Sequence, residues 1–204
     1  MITDLLIALL LFVSFAVVHT ATAGTGMKQY ILSRYPRFSP FYRLAYNLLS
    51  FFTFWLFYEL SPKPHYILVD LQHPWDLLIL IPKIIAAAGF IYTFQHFDGA
   101  EFLGIKQAIV YIRTGKAEAD PDAGSVFTAK GPYRYSRHPL YFFLIIFLLA
   151  HPFVNWFYAM VTLFSIIYFY VGSWYEERKL LERFGAEYAE YKRRVPRIFP
   201  WDFF

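Results

Sequence analysis

The stretch FVNWFYAMVTLFSIIYFYVGSWY, residues 153–175, holds no charged side chain. It is longer than the roughly 20 apolar residues that an α-helix needs to cross a bilayer. Further apolar stretches precede it at 4–23, 41–60, 76–96 and 139–151. The last of these is short, because a helix of its length covers only about 20 Å of a hydrocarbon core of about 30 Å. We therefore expect it to pair with 153–175 as a helical hairpin turned at His151 and Pro152.

The composition agrees with a protein whose solvent is lipid. Of the 204 residues, 58% are hydrophobic and only 17% are charged, against about a quarter in ordinary soluble domains. These values exclude a disordered chain, a coiled coil and a basic protein that coats nucleic acid. The absence of cysteine excludes disulfides, thiolate metal sites and a cysteine nucleophile, and no two histidines have the i, i+4 spacing of a helical zinc pair. No metal and no nucleic-acid partner are expected.

The basic residues predict which side of the membrane each loop faces. Nearly all of the 19 Lys and Arg residues fall within 28–43, 106–137 and 178–197. Basic loops stay in the cytoplasm. Five spans, with the N-terminus outside and the C-terminus inside, place all three stretches there, whereas four spans would misplace one of them. The first apolar stretch is preceded by Asp4 and by no basic residue, so we expect an uncleaved span rather than a signal peptide.

The predicted organisation is one membrane domain over 1–204. Three N-terminal spans occupy 1–97, a cytoplasmic loop occupies 98–138, and the hairpin with a cytoplasmic amphipathic tail helix occupies 139–204. Function is expected where the loop and the tail meet the last two spans.

One dense polar stretch is GPYRYSRHPLY, residues 131–141. Pro139 fits the first position of a helix, so Arg137 and His138 would lie at its positive end beside free backbone N–H groups. Such an end can hold an anionic group. Equally, the arginines can be positive-inside anchors and the tyrosines an interfacial aromatic belt.

A second dense stretch covers residues 176–191. Helical spacing puts one carboxylate on the same face as four apolar or aromatic side chains: Glu177, Leu181, Phe184, Tyr188 and Tyr191. A carboxylate in such a stripe could accept bonds from a ribose or an ammonium group. The alternative is an amphipathic helix that lies on the membrane, with its acids paired to neighbouring basic residues.

Three residues are weaker catalytic candidates. His19 lies near the predicted cytoplasmic end of the first span, where it is either functional or a hydrogen-bonded interfacial histidine. His96 and Asp98 could be a base and its orienting acid, or ordinary polar residues at the start of a loop.

Together the two dense stretches resemble the isoprenylcysteine carboxyl methyltransferase superfamily, which includes phospholipid and thiol methyltransferases. The resemblance covers residues 127–200 and rests on GPYRYSRHPLY followed by EExxLxxxFGxxYxxYxxxVPR. It implies an integral membrane enzyme that uses S-adenosylmethionine, held by the last two spans and the tail. The cofactor-binding residues it implies are Tyr133, Arg137, His138, Leu140, Tyr141, Glu176, Glu177, Tyr188, Tyr191 and Arg197.

The N-terminal half narrows the resemblance. Residues 19–23, 41–47 and 97–107 are similar to the bacterial methanethiol S-methyltransferase branch, and more distantly to membrane proteins associated with nitrite and nitric oxide reductases. The prenylcysteine enzymes carry an arginine four residues before the first Glu of the pair, where this chain has Gly172. That departure favours a smaller or uncharged acceptor.

The expected function is therefore transfer of a methyl group to a small or lipophilic thiol that arrives from the bilayer. The alternatives are a carboxyl O-methyltransferase acting on a lipidated substrate, and a non-enzymatic membrane accessory protein of nitrite or nitric oxide reduction. The expected location is a bacterial inner membrane, with the active site facing the cytoplasm. The sequence does not indicate an oligomeric state.

Overall fold

The computed structural model describes residues 2–96, 98–117 and 127–201, and these residues are mostly helical. The helices are α1 (Ile2–Ala23), α2 (Thr25–Arg34), α3 (Ser39–Leu60), α4 (Trp75–Leu78), α5 (Leu80–Phe94), α6 (Gly99–Phe102), α7 (Ile105–Thr114), α8 (Pro139–Leu149) and α9 (Trp156–Arg194). Short 3₁₀ helices lie at Pro36–Phe38 and Gly131–Arg134. Two short strands, β1 (Ile67–Asp70) and β2 (Phe153–Asn155), pair antiparallel, with Ile67 opposite Asn155.

Three of the described helical segments are long and apolar enough to cross a membrane: Ile2–Ala23, Trp75–Phe94 and Trp156–Arg194. The protein is therefore an integral membrane protein. Helix α3 has 22 residues but carries Arg43, Asn47 and Glu59, and α8 has only 11 residues, about 16 Å of helix. The five-span count and the sidedness stay predictions.

The chain forms two compact units. In the first, α1 packs along α3 through ring contacts such as Phe12 with Phe57, whose centroids are 5.4 Å apart. Helices α6 and α7 belong to this unit, and Tyr111 of α7 meets Phe41 of α3 edge to face. In the second unit, α5 packs closely on α8 because Gly89 lacks a side chain, so the Phe143 ring lies directly against its backbone.

Helix α9 begins at a side-chain cap and is broken near its end. The Asn155 side chain accepts a hydrogen bond of 2.8 Å from the Tyr158 amide, which is a typical N-cap. The charged part starts at Glu176, directly after the apolar stretch. Gly185 then adopts φ 55° and ψ −126°, a conformation outside the helical region.

The predicted stripe on α9 runs across the break and is only partly buried. Glu177, Tyr188 and Tyr191 are buried, whereas Leu181 is 42% exposed. Leu181 lies one turn after Glu177 and before the break, and the turn at Gly185 redirects only the last two turns of α9.

We expect Gly185→Ala to destabilise the protein by about 1–3 kcal/mol, because a residue with a Cβ rarely adopts this positive φ. A Cβ at Gly185 would meet no atom within 4 Å, so the cost is conformational and not steric. Gly172→Ala is the matched control, since Gly172 lies in the helical part of α9 and its Cβ would also meet no atom within 4 Å.

In the control Gly172→Ala, the free energy of unfolding should stay unchanged or rise by up to about 1 kcal/mol, because alanine stabilises a helix interior more than glycine does. Thermal unfolding in detergent measures both variants. Equal melting temperatures for the two would contradict the conformational role of Gly185.

Candidate functional site

The tail after α9 lies along the segment that leads into α8. The backbone N–H groups of Arg137 and His138 donate to the carbonyl oxygens of Pro196 and Arg197, both at 3.0 Å. These two amides are therefore used by the tail. The prediction of free N–H groups beside them, at the start of α8, is not tested by these two bonds.

A buried carboxylate lies at the centre of this region. Glu177 is 2% exposed, and its Oε1 accepts a hydrogen bond of 2.7 Å from Arg137 Nε. Lys192 Nζ lies 3.1 Å from Oε2, while His138 Nε2 and Arg197 Nε each lie 3.4 Å from Oε1. Four basic side chains therefore surround one acid.

Arg137 also ties two parts of the chain together. Its Nη1 donates to the carbonyl oxygens of Lys192 and Val195 at 2.8 and 2.7 Å, at the end of α9. The guanidinium thus joins Glu177 in the body of α9 to the tail beyond Gly185. A guanidinium suits this task because it offers five donors in a rigid plane.

Beside this centre lies a stack of three rings. The imidazole of His138 and the ring of Tyr141 are parallel with centroids 5.2 Å apart, and Phe169 stacks on the other face of Tyr141 at 5.0 Å. Glu176 accepts a 3.0 Å hydrogen bond from the Tyr141 hydroxyl, and its Oε2 lies 3.3 Å from His138 Nδ1. The stack leads from the two carboxylates to a residue of the apolar part of α9.

Two buried tyrosines close the region from the tail. The Tyr191 hydroxyl donates to the carbonyl oxygen of Tyr133 at 2.6 Å, and Phe127 packs against both Tyr188 and Tyr191. Burial raises the pKa of Tyr133 to about 12, and it raises the pKa of Tyr188 and Tyr191 as well. These hydroxyls therefore remain protonated donors at neutral pH.

The pKa values of Glu177 and His138 shift in opposite directions. Burial alone would raise the pKa of Glu177, but the close contacts of His138, Arg137 and Lys192 lower it to about 2. Burial alone would lower the pKa of His138, but its contacts with Glu176 and Glu177 outweigh that effect and raise it. The carboxylate is thus ionised, and the imidazolium form of His138 is favoured.

One buried polar atom at this centre, Tyr188 Oη, has no polar partner among the described residues. Glu177 Oε2, His138 Nε2 and Arg197 Nε have only the ion-pair contacts given above. Because buried polar atoms are nearly always hydrogen-bonded in folded proteins, the Tyr188 hydroxyl is a candidate contact for a bound molecule.

The structure brings nine of the ten predicted cofactor-binding residues into this network of polar and ring contacts. Leu140, the tenth, lies half-buried in the first turn of α8 and makes none of the polar contacts described. Sequence reasoning missed Lys192 and Phe169. The Lys192 contact depends on the break at Gly185 and has no signal in the spacing, whereas Phe169 lies seven residues before Glu176, on the same helical face, and the spacing could have revealed it.

The three weaker catalytic candidates, His19, His96 and Asp98, make contacts with other residues than those of this network. Both ring nitrogens of His19 are hydrogen-bonded. Nδ1 lies 2.8 Å from the Ser50 hydroxyl, and Nε2 lies 3.0 Å from the Tyr46 hydroxyl. Asp98 caps α6 through the Glu101 amide and pairs with Lys106 at 2.8 Å. His96 is oriented by a backbone carbonyl oxygen, that of Tyr92, at 3.0 Å.

Comparison with known proteins identifies the family. A family model described as phospholipid methyltransferase matches residues 91–187. Methanethiol S-methyltransferase 1 of Bradyrhizobium diazoefficiens is 30% identical over 203 residues, covering 96% of this chain and 67% of that protein. The methanethiol S-methyltransferase of Pseudomonas deceptionensis is 30% identical over 202 residues, covering 96% and 72%. The chain belongs to the family of membrane methyltransferases that contains these methanethiol S-methyltransferases.

A methanethiol S-methyltransferase of Mycobacterium tuberculosis is also similar, with 28% identity over 195 residues that cover 92% of this chain and 74% of that protein. No solved structure matches this methyltransferase at a comparable level. The family model ends at Glu187, so it contains the two carboxylates and the ring stack, while Tyr188, Tyr191, Lys192 and Arg197 follow it.

We expect Glu177→Gln to destabilise the cofactor-free methyltransferase by about 3–5 kcal/mol, because it leaves buried basic side chains without their counter-charge. Glu176→Gln is the control, since that side chain is half-exposed and its loss should cost less than about 1 kcal/mol. Thermal unfolding of both variants measures the difference. Similar losses in the two would show that Glu177 does not hold the centre together.

The raised pKa of His138 predicts a pH dependence of stability. An unfolded histidine titrates near 6.5, and the folded value is higher. The stabilisation from protonated His138 is therefore complete below about pH 6.5 and is lost as the pH rises through the folded value. Between about pH 6 and pH 9 the melting temperature should fall more in the wild type than in His138→Gln. Parallel curves would contradict the ion pairs assigned to His138.

Proposed function

We propose that this protein transfers a methyl group from S-adenosylmethionine to a small or lipophilic thiol. The names of its relatives, methanethiol S-methyltransferases, support a thiol as the acceptor. The observation that carries the proposal is the buried Glu177 carboxylate among four basic side chains, close to a Tyr188 hydroxyl that is buried without a hydrogen-bond partner among the described residues. It lies in a chain whose relatives of known name are thiol methyltransferases.

The residues present fit this donor. S-adenosylmethionine carries an ammonium group, a carboxylate, ribose hydroxyls and an aromatic base. Glu177 and Glu176 would accept from the ammonium group or the ribose, and Arg197 would pair with the carboxylate. The neutral rings of Tyr141 and Phe169 offer aromatic faces, which stabilise a cationic sulfonium.

The donor supplies an electrophilic methyl group on a positively charged sulfur. The chain's own task is then to exclude water and to orient the acceptor, because methyl transfer needs an in-line approach within about 3–3.5 Å. The tail performs the first part: Tyr188 and Tyr191 cover the site, and Arg137 fixes the tail to Glu177. No covalent enzyme intermediate is needed.

The acceptor is a thiol without a required carboxylate. Gly172 gives α9 no charge at the position where the prenylcysteine enzymes have an arginine, and its surroundings are open. A thiol of pKa near 8.5 is partly ionised at neutral pH and is already a nucleophile. An apolar thiol would reach the site from the bilayer, toward which Phe169 continues the ring stack.

We further propose five spans with the N-terminus outside and the C-terminus inside, in a bacterial inner membrane. The basic residues of 178–197 and the site share one end of α9, whereas the β1 and β2 pair adjoins its other end. The positive-inside rule then puts the donor site in the cytoplasm, where S-adenosylmethionine is made. Residues 139–204 form the donor-binding module, and 98–138 form the cytoplasmic loop before it.

Calorimetry and an acceptor assay test the proposal together. The wild type should release or absorb heat on titration with S-adenosylmethionine and with its demethylated product. It should also move a radiolabelled methyl group to methanethiol and not to farnesylcysteine. Absence of binding would refute the donor, whereas methylation of farnesylcysteine alone would establish the carboxyl methyltransferase alternative. Binding without turnover of either acceptor would favour a non-enzymatic accessory protein.

Tyr188→Phe gives a sharper test of the donor site. The Tyr188 hydroxyl is buried without a partner, so its removal should leave the unliganded protein as stable as before or more stable. Affinity for the donor should fall about 5- to 20-fold, the loss of one hydrogen bond. In the control Tyr191→Phe, the hydroxyl removed is bound to the Tyr133 carbonyl oxygen, so stability should fall instead. Unchanged donor affinity in Tyr188→Phe would remove Tyr188 from the site.

A further inference from the structure

One histidine outside the donor centre, His96, packs very closely against the segment that leads into that centre. His96 follows the last turn of α5, and its ring lies against the backbone of Gly131. A Cβ on Gly131 would be 2.1 Å from His96 Nε2, so any residue other than glycine would displace the imidazole. Gly131 also has a φ of +59°, which independently favours glycine. Space and conformation at Gly131 are thus both suited to an imidazole in this position.

The hydrogen bond of His96 fixes its tautomer. Nδ1 lies 3.0 Å from the carbonyl oxygen of Tyr92. Because a carbonyl oxygen can only accept, Nδ1 carries the proton, and Nε2 of the neutral ring is left with its lone pair. No hydrogen bond to Nε2 is found within the part of the chain that the structure describes. The side chain is only half-buried, so a small molecule can reach this nitrogen.

Basic residues flank the Gly131 contact in the sequence. The turn that contacts His96 begins after Lys130 and ends at Arg134. The ionisable groups on the elements packed against His96 are therefore Tyr92 on its own helix and Lys130, Tyr133 and Arg134 on the turn. The turn also leads directly into the donor site, since the Tyr133 carbonyl oxygen is bound by Tyr191.

We propose that His96 is the general base that ionises the acceptor thiol. This inference rests on the proposed function. His96 Nε2 takes the thiol proton and becomes an imidazolium. The sulfur uses the freed electron pair to form a bond to the methyl carbon. The electron pair of the broken carbon–sulfur bond stays on the donor sulfur, which becomes neutral, and the imidazolium then loses its proton to water.

His96→Gln tests this role, because an amide can still donate to the Tyr92 carbonyl oxygen but does not accept a proton at neutral pH. The acceptors are ethanethiol and 2,2,2-trifluoroethanethiol, which are similar in size while the second is the stronger acid. The variant should lose about 10²-fold in kcat/KM with ethanethiol, within the usual range for a general base. The loss should be several-fold smaller with the fluorinated thiol, which ionises without help. It should also shrink as the pH is raised.

Two controls separate this role from structure and from the proposed function. Calorimetric affinity for the demethylated donor and the melting temperature should be unchanged in His96→Gln. His65→Gln, an exposed histidine of the same unit, should behave as the wild type in every assay.

Equal losses of activity with both thiols at every pH, or an unchanged rate, would overturn the assignment of His96. A variant that loses donor affinity or thermal stability would show His96 to be structural and would also overturn it. If the wild type methylates no thiol at all, the proposed function is wrong. This outcome is measured on the wild type alone, so it is distinct from a failure of the His96 assignment.

Discussion

The buried ion pair of Glu177 with Arg137 is the interaction on which the site depends. A carboxylate that is 2% exposed is costly unless it is paired and hydrogen-bonded, and here it is paired with four basic side chains. Arg137 comes from the segment before α8, while Lys192 and Arg197 come from the end of α9 and the tail. The pairing therefore decides that three distant parts of the sequence meet at one place.

The same pairing keeps a charged centre in a protein whose chain is mostly apolar. The basic side chains keep Glu177 ionised, with its pKa lowered to about 2, so its oxygens are acceptors at every physiological pH. Under the proposed function, the basic side chains would bind the carboxylate of the donor and the two acids its ammonium group, while the neutral rings of Tyr141 and Phe169 would face the sulfonium.

Sequence patterns predicted those structural features that depend only on residues close together in the chain. The three long apolar helices and the start of α8 at Pro139 follow from composition and spacing, and nine of the ten site residues taken from two motifs lie together in the structure. Patterns failed where one backbone conformation redirects the chain. Lys192 follows the turn at Gly185 and contacts Glu177, and no periodicity of a continuous helix contains that information.

Glycine therefore has two separate uses in the second unit, and they divide the work of the site. At Gly185 a positive φ turns the tail back so that it covers the carboxylates, which concerns the donor. At Gly131 a positive φ and a missing side chain admit the imidazole of His96 beside the segment that leads to those carboxylates. The second arrangement contributes nothing to the ion pairs of Glu177. Under the role proposed for His96, this arrangement serves the acceptor, because the imidazole would take the proton from the fraction of thiol that is not yet ionised.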